Sequence, residues 1–121
     1  MNKLWKSFSY AFKGLAYAYR TQLNLRIHLV ITAITLLLGW YLNLTANEWL
    51  WILLCITIVL SAELLNTSIE TLTDMVSPGY HEKAGHVKDI AAAAVTITAV
   101  FAVITGCLIF IPKLILLFHA A

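Results

Sequence analysis

Three long apolar segments constrain the fold of this chain more than any other feature of its sequence. Short polar stretches separate them, and each segment can supply the roughly 20 residues that a membrane-spanning helix needs. Because 61% of the 121 residues are hydrophobic and only 12% are charged, a water-soluble fold of this size could not cover its apolar surface. The sequence therefore predicts a single-domain all-α membrane protein over residues 1–121, with spans at about 27–44, 48–74 and 89–112.

The second apolar segment is interrupted before it is long enough to cross a bilayer. From Trp49 to Ala62 it is uncharged for about 14 residues, or ~21 Å of helix, whereas the hydrocarbon core is about 30 Å thick. If this segment spans the membrane, Glu63 lies in or beside the lipid. Ionisable side chains at that depth are costly and mostly functional. Glu63 is therefore the first candidate for a chemical role.

Basic residues are concentrated before the first span. Of the 8 lysines and arginines, five precede it, two lie in the connection at 75–89, and none lies in the connection at 43–48. The positive-inside rule then predicts a cytoplasmic N-terminus and a cytoplasmic 75–89 connection. Glu63 falls near the cytoplasmic leaflet of a multi-pass protein. The net charge of +2 is too small to favour a nucleic-acid partner.

The N-terminal segment, at about 2–22, has the pattern of a helix that lies on the membrane. Apolar side chains recur on one face at ~100° per residue. Lys6, Lys13 and Arg20 recur every seven residues on the opposite face, with Tyr10 beside them. A basic amphipathic helix of this kind is typical of attachment to anionic headgroups. The same face is also suited to a phosphate-bearing ligand, and the two interpretations are compatible.

Polar side chains share one stripe of the second span, at its predicted cytoplasmic end. They recur every three or four residues and are Glu63, Asn66, Thr67, Glu70 and Asp74. A carboxylate buried without a partner would protonate, so Glu63 and Glu70 call for a divalent cation, protons or basic groups nearby. Helix packing and a solvated helix end are the alternative explanation, which suits Asp74 better than the glutamates. Mg²⁺ fits best beside phosphate, because it usually takes one or two carboxylates plus substrate phosphates.

Further polar residues lie close to this stripe in the predicted topology. Lys88 and Asp89 begin the third span on the same side of the membrane, where Lys88 could neutralise phosphate oxygens. His86 is interpreted as a surface side chain and His28 as an interfacial one. The sequence contains neither a Walker motif nor a kinase glycine-rich loop followed by a catalytic aspartate. Any ATP must therefore be held by a different architecture.

The run at 63–74, followed by His81 and by Lys-Asp-Ile-Ala-Ala-Ala-Ala-Val at 88–95, closely resembles the prokaryotic diacylglycerol kinase family. That family includes the small bacterial diacylglycerol kinase and the undecaprenol kinase of Gram-positive bacteria. The pattern E-x-x-N-x-x-x-E-x-x-x-D, then K-D-x-A-A-x-A-V, is long and specific. The similarity covers nearly the whole chain and includes residues 13–15 and 24–28.

The resemblance implies a homotrimer in the inner membrane of a bacterium, with active sites shared between subunits at the cytoplasmic interface. It also implies transfer of the γ-phosphoryl group of ATP, with Mg²⁺, to the hydroxyl of a membrane lipid. By position, Glu63 matches the catalytic base, which accepts the proton of the attacking hydroxyl, and Glu70 matches a metal-holding carboxylate. The other residues that match active-site or nucleotide-contacting positions are Tyr10, Asn66, Gly79, Tyr80, His81, Lys88 and Asp89.

One position departs from the family's pattern. The family usually places a second metal-binding glutamate two residues before the position of Asn24, and this chain has Gln22 there. A glutamine carbonyl can ligate Mg²⁺ but brings no negative charge. Gln22 is thus a weaker candidate for a metal ligand. Either metal affinity falls, or Lys88 and the substrate phosphates rebalance the charge of the site.

The acceptor lipid stays open between two alcohols. Diacylglycerol, which would give phosphatidate, is slightly favoured as the family's general substrate. Undecaprenol, which would give undecaprenyl phosphate, follows closely, because residues 26–28 and the Ser77–Pro78 turn look more like the undecaprenol-kinase branch. Two other classes remain as alternatives, a proton- or cation-coupled transport subunit and a non-catalytic assembly partner. The cytoplasmic bias of the polar residues disfavours transport, which needs polar groups through the bilayer.

Overall fold

The computed structural model describes residues 2–120, which form four α-helices. These are α1 (Lys3–Thr21), α2 (Leu23–Tyr41), α3 (Ala46–Val76) and α4 (Glu82–Ala120). By length and composition α2, α3 and α4 are each able to cross a membrane. The predictions of an all-α protein and of three membrane-spanning segments are confirmed.

Side-chain caps define where two of the helices begin. The side chain of Asn2 accepts a hydrogen bond from the Trp5 amide at 3.1 Å at the start of α1. At the start of α3, Thr45 Oγ1 accepts from the Glu48 amide at 3.2 Å, and Glu48 Oε1 accepts from the Thr45 amide at 2.9 Å. This reciprocal capping box satisfies amides that would otherwise lack partners and ends the connection from α2. Asn43 occupies the left-handed region in that connection, with φ 54, a conformation that asparagine tolerates better than most residues.

The connection between α3 and α4 is shorter than the 75–89 stretch that the sequence pattern predicts. Because α3 continues to Val76 and α4 already begins at Glu82, only residues 77–81 lie outside helices. His81 Nδ1 accepts a hydrogen bond from the Lys83 amide at 3.2 Å, which helps α4 to start at this point. The early start places Lys88 and Asp89 within a continuous helix instead of at its first turn.

α3 is the central helix of the protomer and contacts each of the other three. Its buried apolar side chains are Ile52, Cys55 and Val59. Buried small or apolar residues of the other helices are fewer, with Ala18 on α1, Leu25 and Gly39 on α2, and Ala91 on α4. Most large apolar side chains of α2 and α4 are exposed in the single protomer, as expected for surfaces that face lipid or another subunit.

Gly39 allows α2 to approach the start of α3. A Cβ atom at this position would lie 2.8 Å from Trp49 Cη2 and 3.0 Å from Leu44 Cδ1. On the same side of the membrane, Lys113 Nζ lies 3.1 Å from Glu48 Oε1 and joins α4 to α3. The end of the bundle far from Glu63 is therefore closed by an aromatic contact and an ion pair.

Gly39→Ala should lower the free energy of unfolding by about 1 kcal/mol, because the indole ring and the leucine must move to admit one methyl group. Gly106→Ala is the matched control, since no atom of the described residues lies within 4 Å of its added Cβ. In an open helix position alanine is the better helix former, so we expect no loss there. Reversible unfolding in mixed micelles measures both variants. Equal stabilities of the two variants would contradict the close approach at Gly39.

Candidate functional site

The polar stripe of α3 is buried against its neighbours. Glu63 is 2% exposed and Asn66 is 7% exposed, while Glu70 is half-buried. Glu63, Asn66 and Glu70 face a groove between α2, α3 and α4. Thr67 belongs to the other side of α3, where it faces α1, and its hydroxyl donates to the Glu63 carbonyl at 3.0 Å. Of the five residues that the helical spacing places on one stripe, three therefore line the groove and two, Thr67 and Asp74, do not.

The groove has a volume of about 620 Å³ and two chemically different walls. α4 contributes an uncharged wall from Ala92 to Ile104, which is about 18 Å of helix at ~1.5 Å per residue. α2 and α3 contribute the polar wall, which consists of Asn24, His28, Glu63, Asn66 and Glu70. A molecule with a polar end and a long apolar part would match both walls.

Two acceptor atoms in the groove have no donor in the part of the chain that the structure describes. Within residues 2–120, Glu63 Oε1 and Asn66 Oδ1 are buried and have no hydrogen-bond partner. The other carboxylate oxygen, Glu63 Oε2, lies 3.7 Å from His28 Nε2. A buried acceptor without a partner costs about 1–3 kcal/mol. These two oxygens thus need a partner. A ligand hydroxyl could donate a hydrogen bond to them, and a cation could bind them directly.

Glu70 is the carboxylate of the groove best placed to hold a metal ion. Asn66 Nδ2 donates to Glu70 Oε1 at 3.3 Å, which leaves the other carboxylate oxygen free of that bond. No group of three His, Cys, Asp or Glu side chains comes together as a metal cage in the described part of the chain. Mg²⁺ does not need such a cage, because it is usually held by one or two carboxylates plus substrate phosphates and water. The donor set therefore fits Mg²⁺ when phosphate is also present.

A second cavity, bordered by exposed side chains, lies where α3 ends and α4 begins. It measures about 270 Å³ and is formed by the 77–81 connection together with Asp74 and Lys88, whose side chains form an ion pair. Tyr80 is 96% exposed at its edge. Four predicted site residues come together here, namely Gly79, Tyr80, His81 and Lys88. The cavity lies about 16 Å along α3 from Glu63, counting from Asp74 at ~1.5 Å per residue.

Three predicted site residues lie apart from both cavities. Tyr10 is exposed on α1, where Lys13 Nζ lies 5.7 Å from its ring centroid. Asp89 is exposed on α4. Gln22 is the single residue between α1 and α2. Its amide donates to the Ala18 carbonyl at 2.8 Å, and its carbonyl accepts from the Arg26 amide at 3.4 Å. In one protomer, none of the three lines the groove or the exposed cavity.

His28 is a site residue that the sequence pattern did not identify. The sequence pattern predicts an interfacial side chain, and the structure adds that His28 lies 3.7 Å from Glu63 in the polar wall of the groove. The available signal was its spacing of four residues from Asn24, which places both on one face of α2. That spacing does not reveal which residue of α3 the face meets.

The chain is similar to a known protein family and to several named proteins. The family model for prokaryotic diacylglycerol kinase matches residues 9–110. The undecaprenol kinase of Bacillus subtilis (strain 168) is 40% identical over 114 residues, which cover 94% of this chain and 93% of that protein. The diacylglycerol kinase of Escherichia coli (strain K12) is 30% identical over 107 residues, which cover 88% of each chain. A diacylglycerol kinase of Synechocystis is 43% identical over 115 residues, which cover 90% of this chain but 63% of that relative.

Proposed function

Since this chain belongs to the prokaryotic diacylglycerol kinase family and is a lipid kinase, we propose that it transfers the γ-phosphoryl group of ATP to the hydroxyl of a membrane lipid, with Mg²⁺ as the metal. The family resemblance of the run at 63–74 is confirmed by the match to the family model. An enzyme of this family leaves no need for the alternatives of a transport subunit or an assembly partner.

The observation that carries the proposal is the Glu63 carboxylate. It is buried at the polar wall of the groove, and one of its oxygens has no donor among residues 2–120. The hydroxyl of a lipid would supply that donor. Opposite Glu63, the uncharged wall of α4 from Ala92 to Ile104 would accommodate the apolar part of the same molecule. Glu63 then acts as the general base for the hydroxyl that it contacts.

In the reaction, the lipid hydroxyl gives its proton to Glu63 as its oxygen bonds to the γ-phosphorus. The bond between that phosphorus and the bridging oxygen of ADP breaks. The protein's part is mainly to position the two substrates and to neutralise charge. Burial of Glu63 at the lipid side of the groove also keeps water from competing for the phosphoryl group.

The nucleotide would be held nearer to the aqueous phase. We assign its phosphates to Lys88, whose ammonium is a point charge for phosphate oxygens, and its remaining contacts to the 77–81 connection. Glu70, between that cavity and Glu63 along α3, would hold Mg²⁺. When bound, the metal neutralises charge on the phosphate oxygens. Asn66 keeps the Glu70 carboxylate in place through its 3.3 Å hydrogen bond.

The proposal includes a topology and an assembly. The N-terminus and the 77–81 connection face the cytoplasm of a bacterial cell, and α1 lies at the surface of the inner membrane. Three copies form a homotrimer whose active sites are shared between subunits. Two observations support a shared site: Tyr10 and Asp89 lie outside both cavities of a single protomer, and the apolar faces of α2 and α4 are exposed. A neighbouring subunit could bring such residues to the groove.

The acceptor is proposed as a lipid alcohol, diacylglycerol or undecaprenol. Both present a hydroxyl at one end of an apolar molecule, which is what the groove accommodates. Named relatives include a kinase for each, so these two acceptors are the ones to compare.

Lipid-dependent phosphoryl transfer tests the proposal directly. Purified protein in mixed micelles, supplied with labelled ATP and Mg²⁺, should label an added lipid alcohol at a rate at least about 10-fold above that of micelles without it. Diacylglycerol and undecaprenol are offered in parallel, and a chelator is added to matched samples, where labelling should stop. Consumption of ATP at the same rate with and without either lipid would contradict the proposed function.

A further inference from the structure

His28 lies at the boundary between the polar groove and a third, apolar cavity. It is one of the two residues, with Val103, that line both spaces. This apolar cavity measures about 230 Å³. It is bounded by α2, α3 and α4, and it lies further from the predicted cytoplasmic end than the groove does. The His28 side chain is 22% exposed. One turn later along α2, Thr32 Oγ1 donates a hydrogen bond to the His28 carbonyl at 2.8 Å. An imidazole at this boundary would lie between the polar and apolar parts of a lipid bound in the groove.

The imidazole faces the carboxylate that we assign as the base. His28 Nε2 lies 3.7 Å from Glu63 Oε2, within ion-pair range and about 1 Å longer than a hydrogen bond. Glu63 is almost fully buried, and its other oxygen has no partner in the described residues. A buried ionised carboxylate needs a compensating charge or donor. A protonated His28 would place a positive charge beside Oε2 and leave Oε1 for the substrate.

Few other titratable groups face this pair. On α3, Glu70 lines the same groove and adds negative charge, and Cys55 lines the apolar cavity. α4 contributes uncharged side chains to the walls of both spaces, and α1 lines neither. Lys88, the nearest cation by position on α4, is engaged by Asp74. Among the described residues that line the groove, His28 is therefore the one whose side chain, when protonated, would offset the charge of Glu63.

We propose that His28 is a positioning residue for the reaction, which orients the Glu63 carboxylate toward the groove and stabilises its ionised form. This inference rests on the proposed role of Glu63 as the base. The proton of the lipid hydroxyl goes to Glu63, and His28 takes no part in bond making or breaking. Its contribution is to keep Glu63 able to accept that proton at neutral pH.

The first test compares His28→Ala and His28→Lys with His119→Ala, a matched substitution of an exposed histidine near the end of α4. We expect His28→Ala to lower kcat about 10-fold or more, with KM for ATP unchanged, because the base is affected and the nucleotide cavity is not. Activity should persist to lower pH in His28→Lys than in His28→Ala, since lysine keeps a positive charge. Added imidazole should restore part of the activity of His28→Ala, and His119→Ala should match the wild type.

A second measurement needs no activity. Infrared spectra at neutral pH should show a protonated carboxyl band in His28→Ala that is absent in the wild type. The band should disappear in the His28→Ala, Glu63→Gln double variant, which assigns it to Glu63. If the wild type phosphorylates no lipid, the proposed function fails, and the infrared comparison still decides the His28–Glu63 pair.

Two results would overturn the inference. One is a His28→Ala enzyme with the kcat and pH dependence of the wild type. The other is an equal loss in His28→Ala and His28→Lys, with no effect of imidazole and no new carboxyl band, which would make His28 a packing residue only.

Discussion

Glu63→Gln should lower kcat at least about 100-fold while KM for ATP stays within about twofold of the wild type. General bases typically contribute 10²- to 10⁴-fold, and glutamine keeps the size of the side chain but cannot accept the proton. The position is 2% exposed, so the isosteric change avoids opening a cavity. Initial rates at saturating lipid, with ATP varied, separate the two constants.

The control for this variant is Glu48→Gln, the same substitution on the same helix. Glu48 caps the far end of α3 and pairs with Lys113, about 22 Å from Glu63 at ~1.5 Å per residue. Its loss affects stability and leaves the proposed site intact, so kcat should remain within about twofold. A Glu63→Gln enzyme within a few-fold of the wild type would rule out Glu63 as the base.

Glu70→Gln should lower kcat/KM for ATP about 100-fold at limiting Mg²⁺, with partial recovery when Mg²⁺ is in large excess. The amide keeps an oxygen that can ligate the metal but removes the negative charge that attracts it. Asn66 can still donate to that oxygen, so the local geometry of α3 is preserved. Titration of activity with Mg²⁺ at fixed ATP measures the shift.

Glu82→Gln is the control for the metal assignment. Glu82 begins α4 and is exposed. Within the described chain its one ion-pair partner is His86. An exposed pair of this kind is worth little, so the Mg²⁺ dependence should not change. If Glu70→Gln requires no more Mg²⁺ than the wild type does, the metal is held elsewhere.

Much of the fold follows from sequence because each span carries its own signal. Apolar length alone identified α2, α3 and α4, and the interruption at Glu63 marked the end of α3 where the polar residues lie. The predicted 75–89 connection is longer than the observed one at 77–81. A polar stretch and a proline-glycine turn indicate that a helix ends, but they do not indicate at which residue the next helix begins. That point depends on local contacts such as the one between His81 and Lys83.

The part of the site that belongs to a single helix could be predicted from the sequence. A period of 3.6 residues places Glu63, Asn66 and Glu70 on one face without knowledge of the other helices. The meeting of His28 with Glu63 depends on how α2 is rotated and shifted against α3, which the pattern within either helix does not encode. The roles of Tyr10 and Gln22 stay predictions, because among the described residues neither lines the groove or the cavity at the 77–81 connection.

The junction at Gln22 has a mechanical consequence. One extended residue, with φ −118 and ψ 109, is all that separates the two N-terminal helices, so an elbow of two dihedral angles fixes the direction of one relative to the other. The first two turns beyond this elbow carry Asn24 and His28, which border the groove. Any tilting of α1 would therefore be transmitted to the wall that contacts Glu63, because only Gln22 separates the two helices.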